Sequence, residues 1–299
     1  MSSRTDVALI IPALDEEATI ASTVREARLY FDGDIVVVDN GSTDATAAAA
    51  RDASARVVIE PVRGYGRACM AGVAATPDAE VLVFMDGDGS DMPARIPALV
   101  AAIGDGADLA LGVRRGPEVE PDSMTMAARS GNWLSSMLLG ALYGRRLHDL
   151  SPLKAVRRPL LERLALREQT YGWTVELLAR SLRAGARIDE VEVGYRRRAG
   201  GKSKVSGNLA SASRAGVRIL ATIGRVALSG CTSAGAGAAI GLLASLALLA
   251  AFAFWLASVD TVSLRAGVAV WLVAWPAVLT GIMTGYGLGA LLGRARVMS

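Results

Sequence analysis

The chain has 299 residues with 32 basic and 29 acidic side chains, so its formal net charge is only +3. One histidine and two cysteines are too few for a multi-histidine metal centre or a disulfide framework. The charge is uneven, because 21 basic and 28 acidic residues precede Arg196, whereas 11 basic residues and one acidic residue lie from Arg196 onward. This asymmetry indicates that the C-terminal part meets a polyanion or an anionic membrane surface.

Short apolar, β-branched runs alternate with helical patterns in the first 111 residues. Each run is typical of a buried strand in a parallel sheet. The predicted strands cover residues 7–11, 34–38, 57–59, the run from 81 onward, and 108–111. Acidic turns follow the first two strands, and Ser42 or Thr43 is the expected cap of the second helix. The alternation predicts an α/β domain with a mostly parallel sheet and right-handed crossovers.

The fourth strand ends in two carboxylates one residue apart, Asp86 and Asp88. Ligands bind at this end of the strands in open α/β sheets, and hard oxygen ligands there suit Mg2+ or Mn2+ shared with substrate phosphates. A capped turn without a metal is the alternative, because Asp and Gly are ordinary turn residues. A calcium loop is excluded, since Asp91 and Pro97 stand where it requires Gly and Glu.

A dinucleotide-binding fold is also excluded. Its glycine fingerprint should follow the first strand, whereas Gly64-Tyr65-Gly66 follows the third and has Cys69 in place of the last glycine. A P-loop motif is missing as well. The α/β sheet is therefore expected to bind a different kind of ligand.

Two long uncharged runs, at 234–258 and 266–293, dominate the C-terminal part. Each is long enough to cross the ~30 Å hydrocarbon core of a bilayer. They predict a two-helix membrane hairpin, and the alternative, a buried soluble helix pair, is disfavoured because ordinary helices are far shorter. The membrane is thus favoured over nucleic acid as the partner of the basic part. Glycines spaced four residues apart permit close helix association and a homo-oligomer.

The predicted organisation has three parts: a catalytic domain at 1–205, a juxtamembrane amphipathic helix at 206–232 and two transmembrane helices at 233–299. Arginines flank the hairpin on both sides, which places both ends in the cytoplasm. Apolar positions at 208–226 alternate with arginines in a pattern typical of a helix lying on anionic headgroups. No signal peptide is expected before the first strand, so the catalytic domain is expected to face the cytoplasm.

Five sequence blocks together resemble a family 2 glycosyltransferase of the GT-A fold, of the dolichol-phosphate mannose synthase and polyprenyl-phosphate glycosyltransferase type. The blocks are Ile10-Ile11-Pro12-Ala13-Leu14-Asp15-Glu16-Glu17, Val37-Val38-Asp39-Asn40-Gly41-Ser42-Thr43-Asp44, Arg63-Gly64-Tyr65-Gly66, Met85-Asp86-Gly87-Asp88, and Arg198-Ala199-Gly200-Gly201-Lys202-Ser203-Lys204. The resemblance covers roughly residues 6 to 205. It implies a Rossmann-like sheet that binds a nucleotide-sugar donor, either a UDP-sugar or a GDP-sugar.

The resemblance also implies roles for individual residues. The implied donor-binding set is Pro12, Leu14, Asp15, Glu17, Asp39, Gly64, Asp86 and Lys204, and the implied acceptor-binding set is Arg114, Arg129, Ser130, Arg198 and Ser203. Asp86 and Asp88 would hold Mg2+ or Mn2+, with Ser90 standing where relatives often have Gln as a third contact. The implied catalytic residues are Asp86, Asp88, Arg198 and Arg114. Arg198 and Lys204 could fold over the donor diphosphate, with a solvated basic loop as the alternative.

The predicted reaction is metal-dependent, inverting transfer of one sugar, glucose or mannose, to a polyprenyl phosphate such as dolichyl or undecaprenyl phosphate. A lipid phosphate is already an anion, so it requires positioning and charge balance rather than a general base. The Gln-x-x-Arg-Trp motif of processive synthases is absent, which disfavours polymer synthesis.

Two alternatives remain open at this stage. One is transfer to a lipid or glycan hydroxyl with Glu176 as the base, and the other is a non-catalytic nucleotide-sugar-binding scaffold. Asp149 could orient a sugar hydroxyl or form a structural turn, and Lys154 stands for a family arginine. His148, the single histidine, is expected to be structural.

Overall fold

The computed structural model describes residues 6–200 and 209–229. Within these ranges no helix combines the length and the apolar character needed to cross a bilayer. The predicted hairpin, together with Ser203 and Lys204, lies outside the described residues.

Strands and helices alternate through the described chain. The strands are β1 (Val7–Ala13), β2 (Asp34–Asp39), β3 (Arg56–Ile59), β4 (Val81–Phe84), β5 (Leu109–Val119), β6 (Lys154–Arg157) and β7 (Ile188–Tyr195). The helices are α1 (Ile20–Tyr30), α2 (Thr46–Asp52), α3 (Tyr65–Ala75), α4 (Ile96–Gly104), α5 (Met126–Tyr143), α6 (Arg158–Leu164), α7 (Trp173–Arg183) and α8 (Leu209–Leu228), with a short 3-10 turn at Pro93–Arg95. All five predicted strands are present.

The seven strands form one sheet in the order β3-β2-β1-β4-β6-β5-β7. Strands β3, β2, β1 and β4 run parallel to one another, and β7 is parallel to β5. Strand β6 is antiparallel to both β4 and β5. The prediction of a mostly parallel α/β sheet is therefore confirmed, with β6 as an antiparallel insertion that the sequence pattern did not reveal.

The centre of the sheet is dry because its strands are apolar on both faces. Residues 35–38 of β2 and 82–84 of β4 are fully buried, as expected for parallel strands covered by helices. The chain proceeds outward from β1 to β3 and then returns to place β4 on the other side of β1. This reversal makes a crevice at the carboxyl ends of β1 and β4, where open α/β sheets bind ligands.

Helix α8, Leu209–Leu228, lies within the range predicted for the amphipathic helix, 206–232. Arg218 Nη1 donates to Thr170 Oγ1 at 3.0 Å, and Thr222 Oγ1 donates to Glu168 Oε2 at 3.2 Å. A Cβ at Gly172 would lie 2.7 Å from Thr222 Oγ1, so the approach there is close. Helix α8 is therefore held against the loop that precedes α7.

Candidate active site

Two acidic turns at the carboxyl ends of β1 and β2 are held together by hydrogen bonds. Asp15 Oδ1 accepts from Thr43 N at 2.7 Å, and Glu17 Oε2 accepts from Ala45 N at 2.9 Å. Asp15 has a φ of +48°, a conformation that Asp tolerates better than most residues. These bonds fix Asp15 and Glu17, two of the implied donor-binding residues, on one rim of the crevice.

The cap expected for α2 is wrong. The helix begins at Thr46, and Asp44 Oδ1 accepts from Thr46 N at 3.0 Å. Ser42 Oγ instead accepts from Asp15 N at 3.0 Å. Ser42 and Thr43 do not cap α2, because their side chains bond to Asp15 of the first turn.

Asp39 and Gly64 are brought close by Asn40, a residue that had no predicted role. Asn40 Oδ1 accepts from Gly64 N at 2.6 Å, and its Nδ2 donates to Val62 O at 2.8 Å. A Cβ at Gly64 would collide with the carbonyl oxygen of Gln169, so the turn must be glycine. Pro12 is buried in β1 and Leu14 is half-buried just after it. The implied nucleotide-binding residues thus line adjacent strand ends.

A buried cluster of three carboxylates follows β4. Asp91 Oδ2 accepts from Asp86 N at 3.0 Å, and Asp88 Oδ1 accepts from Ser90 N at 2.9 Å. Oδ1 of Asp86 and Oδ1 of Asp91 are buried and have no hydrogen-bond partner among the described residues. Burial, and then the charge of Asp88, raises the pKa of Asp86 to about 6. Burial and the charge of Asp86 raise the pKa of Asp91 to about 8. Asp91 was not among the predicted site residues, because its position in the sequence served only to exclude a calcium-binding loop.

Lys154 supplies a buried positive charge near this cluster. Its side chain is fully buried in β6, Nζ donates to Pro152 O at 2.8 Å, and Nζ lies 5.7 Å from the centre of the Trp173 ring. Burial lowers the pKa of Lys154 to about 8, although negative charges including those of Asp86 and Asp91 oppose the shift. The ammonium group therefore offsets part of the carboxylate charge inside the sheet.

Arg198 reaches the same cluster from the segment after β7, as its predicted role requires. Its Nη2 lies 2.8 Å from Asp88 Oδ2 and its Nη1 lies 2.9 Å from Glu16 Oε1. Backbone bonds fix the strap formed by residues 195–200: Arg196 N donates to Ser90 O at 2.8 Å, and Ala199 N donates to Asp88 O at 3.3 Å. The strap thus crosses the loop that carries the paired carboxylates.

Arg114, in the middle of β5, is paired with Asp149. Nε donates to Asp149 Oδ2 at 2.9 Å and Nη2 donates to Oδ1 at 2.6 Å, and both side chains are at most 9% exposed. The guanidinium also lies 4.9 Å from the centre of the Tyr195 ring. Asp149 therefore orients Arg114, a contact that neither of its two predicted roles included.

Arg129 and Ser130 lie on the exposed face of the first half of α5. With Trp133 and Leu134 they line a cavity of about 430 Å³. Trp133 is 56% exposed and Met126, at the start of the helix, is 74% exposed. The two residues implied for acceptor binding thus lie beside accessible apolar surface.

Glu176 does not have the surroundings of a general base. It is fully buried, Oε2 accepts from the backbone N–H groups of Arg167 and Glu168 at 2.8 Å and 2.6 Å, and Oε1 accepts from Arg180 Nε at 2.9 Å. Both oxygens are occupied by structural donors. The assignment of Glu176 as a base is therefore corrected to a role in fixing the start of α7.

Replacing Glu176 by Gln is expected to leave turnover within about threefold of wild type and to lower the melting temperature. The amide keeps one acceptor oxygen but loses bonds to a charged group, each worth roughly 1.5–3 kcal/mol. Parallel measurements of turnover and tryptophan-monitored melting on the detergent-purified protein test this. A loss of roughly 100-fold in turnover with an unchanged melting temperature would instead support Glu176 as the general base.

The thermal stability of the ligand-free protein should fall between pH 6 and pH 8. The unfolded chain loses the Asp91 proton near pH 4, whereas the folded chain keeps it until its raised pKa of about 8. The folded state therefore holds an extra proton between about pH 4 and pH 8, and stability declines as pH rises, by about 2 kcal/mol between pH 6 and pH 8. Asp91→Asn mimics the protonated form and should flatten the decline. An equal decline in this variant would contradict the assignment.

Residues 8–165 match the family described as Glycosyl transferase family 2. A Mycobacterium tuberculosis protein named an uncharacterized glycosyltransferase is 39% identical over 205 residues, covering 68% of this chain and 91% of the relative. The dolichyl-phosphate hexose transferase of Haloferax volcanii is 36% identical and covers 65% and 85%, respectively. The undecaprenyl-phosphate mannosyltransferase of Micrococcus luteus is 32% identical and covers 68% and 88%.

A solved structure has the same mixed-sheet architecture. The glucosyl-3-phosphoglycerate synthase of Mycobacterium tuberculosis, in complex with Mn2+, uridine diphosphate and phosphoglyceric acid, superposes with a TM-score of 0.60. It is 30% identical, and the match covers 74% of this chain and 78% of that one. The fold is therefore GT-A-like, and the chain belongs to glycosyl transferase family 2 and is a glycosyltransferase.

Proposed function

We propose that this chain transfers one sugar, glucose or mannose, from a nucleoside diphosphate donor to a polyprenyl phosphate at the cytoplasmic face of a membrane. The observation that carries this proposal is the buried carboxylate cluster at the end of β4, with Arg198 paired to Asp88 at 2.8 Å. Relatives named for transfer to dolichyl or undecaprenyl phosphate support the choice of acceptor. The donor would be a UDP-sugar or a GDP-sugar.

The cluster fits a divalent cation. Asp86 Oδ1 is buried and lacks a hydrogen-bond partner within the described part of the chain, and carboxylate oxygens are the ligands that Mg2+ and Mn2+ prefer. The described residues contain no group of three or more His, Cys, Asp or Glu side chains arranged to hold a metal alone. Asp86 and Asp88 would therefore share it with water and with diphosphate oxygens, and Ser90 could add a contact. When bound, the metal stabilises the charge of the departing diphosphate as a Lewis acid.

The residues around the cluster would hold the donor. Asp15, Glu17 and Asp39 would contact the base and ribose at the ends of β1 and β2, beside the Gly64 turn. Arg198, already positioned 2.8 Å from Asp88 Oδ2, would donate to the diphosphate and offset its charge. Lys204 would extend this positive surface.

The acceptor would enter beside α5. Arg129 and Ser130 would bind its phosphate, and Arg114, held by Asp149, would orient it. Exposed Trp133 and Met126 would meet its apolar portion. An anionic phosphate attacks the sugar carbon directly, which inverts its configuration and needs no base. The predicted hairpin and α8 would keep the site near the bilayer.

A soluble phosphorylated acceptor is the second candidate. It is favoured by the 30% identity to a glucosyl-3-phosphoglycerate synthase solved with phosphoglyceric acid. Transfer assays with the purified full chain, Mn2+ or Mg2+ and labelled UDP- and GDP-sugars separate the two. We expect label on a short polyprenyl phosphate and none on 3-phosphoglycerate or diacylglycerol. Label on 3-phosphoglycerate alone would overturn the lipid acceptor.

A further inference from the structure

One acidic side chain that the proposed mechanism does not use is joined directly to Arg198. Glu16 is 7% exposed, and its two carboxylate oxygens accept from Arg198 Nη1 at 2.9 Å and 3.2 Å. Thr19 Oγ1 lies 3.4 Å from Glu16 Oε2 and 3.0 Å from Gly87 O. Glu16 is therefore tied to the loop between Asp86 and Asp88.

The Arg198 guanidinium consequently bridges two buried carboxylates. Nη1 is held by Glu16 and Nη2 by Asp88, and a planar group with fixed donor directions suits such a bridge. Burial by itself would lower the pKa of Arg198, but the charges of Asp88 and Glu16 raise it, so the side chain stays cationic. If a metal and a diphosphate bind at Asp88, Nη2 can leave Asp88 and pair with the diphosphate while Nη1 remains on Glu16.

We propose that Glu16 is a positioning residue, which holds Arg198 by Nη1 so that Nη2 pairs with Asp88 before the ligands arrive and with the diphosphate afterwards. The inference rests on the proposed function for the site at which a nucleoside diphosphate binds. Because Glu16 already holds Arg198, this side chain loses less conformational freedom when the nucleotide binds. The three acids of the first turn thus differ, since Asp15 and Glu17 bond to the second turn whereas Glu16 bonds to the strap.

A double-mutant cycle tests whether Glu16 acts through Arg198. Isothermal titration calorimetry of UDP and GDP in saturating Mn2+ on the full chain in detergent gives the dissociation constants. We expect Glu16→Gln to weaken binding of the preferred nucleotide about tenfold in the wild type and less than twofold in the Arg198→Gln background. Equal losses in both backgrounds would place Glu16 on the ligand itself and overturn the proposal, as would no loss in either.

Glu26, on the helix that follows Glu16, provides a matched control. It pairs with Arg196 of the strap at 2.9 Å, so Glu26→Gln removes a neighbouring strap ion pair of the same kind. Its effect should be less than twofold, and a tenfold loss would show that general strap closure, not the placement of Arg198, matters. Arg198→Lys leaves Glu16 intact but replaces the forked guanidinium by a single ammonium group, and it should weaken nucleotide binding about tenfold. Nucleotide binding by Arg198→Lys that is as tight as in the wild type would also overturn the proposal.

The two proposals fail in different ways. A cycle that shows the coupling in a protein that transfers no sugar to polyprenyl phosphate would overturn the proposed acceptor and leave the role of Glu16 standing. Sugar transfer to polyprenyl phosphate without the coupling would overturn the role of Glu16 alone. Wild-type protein that binds neither nucleotide would contradict both.

Discussion

Asp88→Asn is expected to reduce sugar transfer by about 1000-fold, equivalent to roughly 4 kcal/mol of barrier. The amide keeps the size of the side chain and can still accept from Ser90 N, but it removes one of the two carboxylates proposed to hold the metal. It also removes the charge that faces Arg198 Nη2 at 2.8 Å. Without that charge the site would hold the metal and Arg198 less firmly, and these are the cations that would stabilise the departing diphosphate.

The initial rate of transfer from the preferred labelled nucleotide sugar, in saturating Mn2+, measures this loss. Asp189→Asn is the matched control, because Asp189 lies on β7 and pairs only with Arg187 among the ion pairs of the described residues. Its rate should remain within twofold of wild type. A loss below tenfold in Asp88→Asn at saturating metal would contradict a metal role for the Asp86 and Asp88 pair.

Arg114→Met is expected to destabilise the folded protein by about 3–5 kcal/mol, the usual cost of removing one partner of a buried ion pair. Asp149 is at most 5% exposed in its side chain and accepts three bonds from Arg114, including one from its backbone N–H. Two of these three bonds disappear with the guanidinium, and the remaining carboxylate charge stays buried. The melting temperature, followed by tryptophan fluorescence, should fall by more than 5 °C.

The double variant Arg114→Met with Asp149→Leu separates stability from catalysis. Removing both charges should recover most of the lost stability, because a buried pair replaced by apolar groups is often close to neutral. Transfer should nevertheless stay at least about tenfold below wild type, since the acceptor phosphate loses a proposed cation. Recovery of both stability and transfer would mean that Arg114 serves the fold alone.

Local sequence patterns predicted the parts of the fold that depend on local chemistry. The five apolar strands were readable from their β-branched runs, which are buried in β1, β2, β4 and the first half of β5. The site at the end of β4 followed from where its run ends. Strand β6 was not readable, since it has four residues and begins with a lysine. Its buried ammonium is compatible with the interior because Pro152 O and Thr174 Oγ1 accept from it, and Thr174 is 20 residues away in sequence.

The errors in the candidate site have the same origin. Glu176 fits the expectation for a base in sequence, but its partners are backbone N–H groups eight and nine residues earlier, which no pattern of side chains reveals. Glu16 lies between two acids that bond to the second turn, and its own partner, Arg198, is 182 residues away. Residue types in the sequence thus indicated where charged side chains cluster. Which of these side chains pair with each other could be seen only in the folded structure.

The bond that joins the sugar to the lipid in the product shows directly whether the acceptor is a phosphate or a hydroxyl. Polyprenyl phosphate glycosylated by the purified chain should be isolated and examined by phosphorus and proton nuclear magnetic resonance. We expect a phosphodiester, with the phosphorus coupled to the anomeric proton of a single sugar and the configuration inverted relative to the donor. A lipid product whose sugar is joined to a hydroxyl, with no coupling between phosphorus and the anomeric proton, would contradict this expectation.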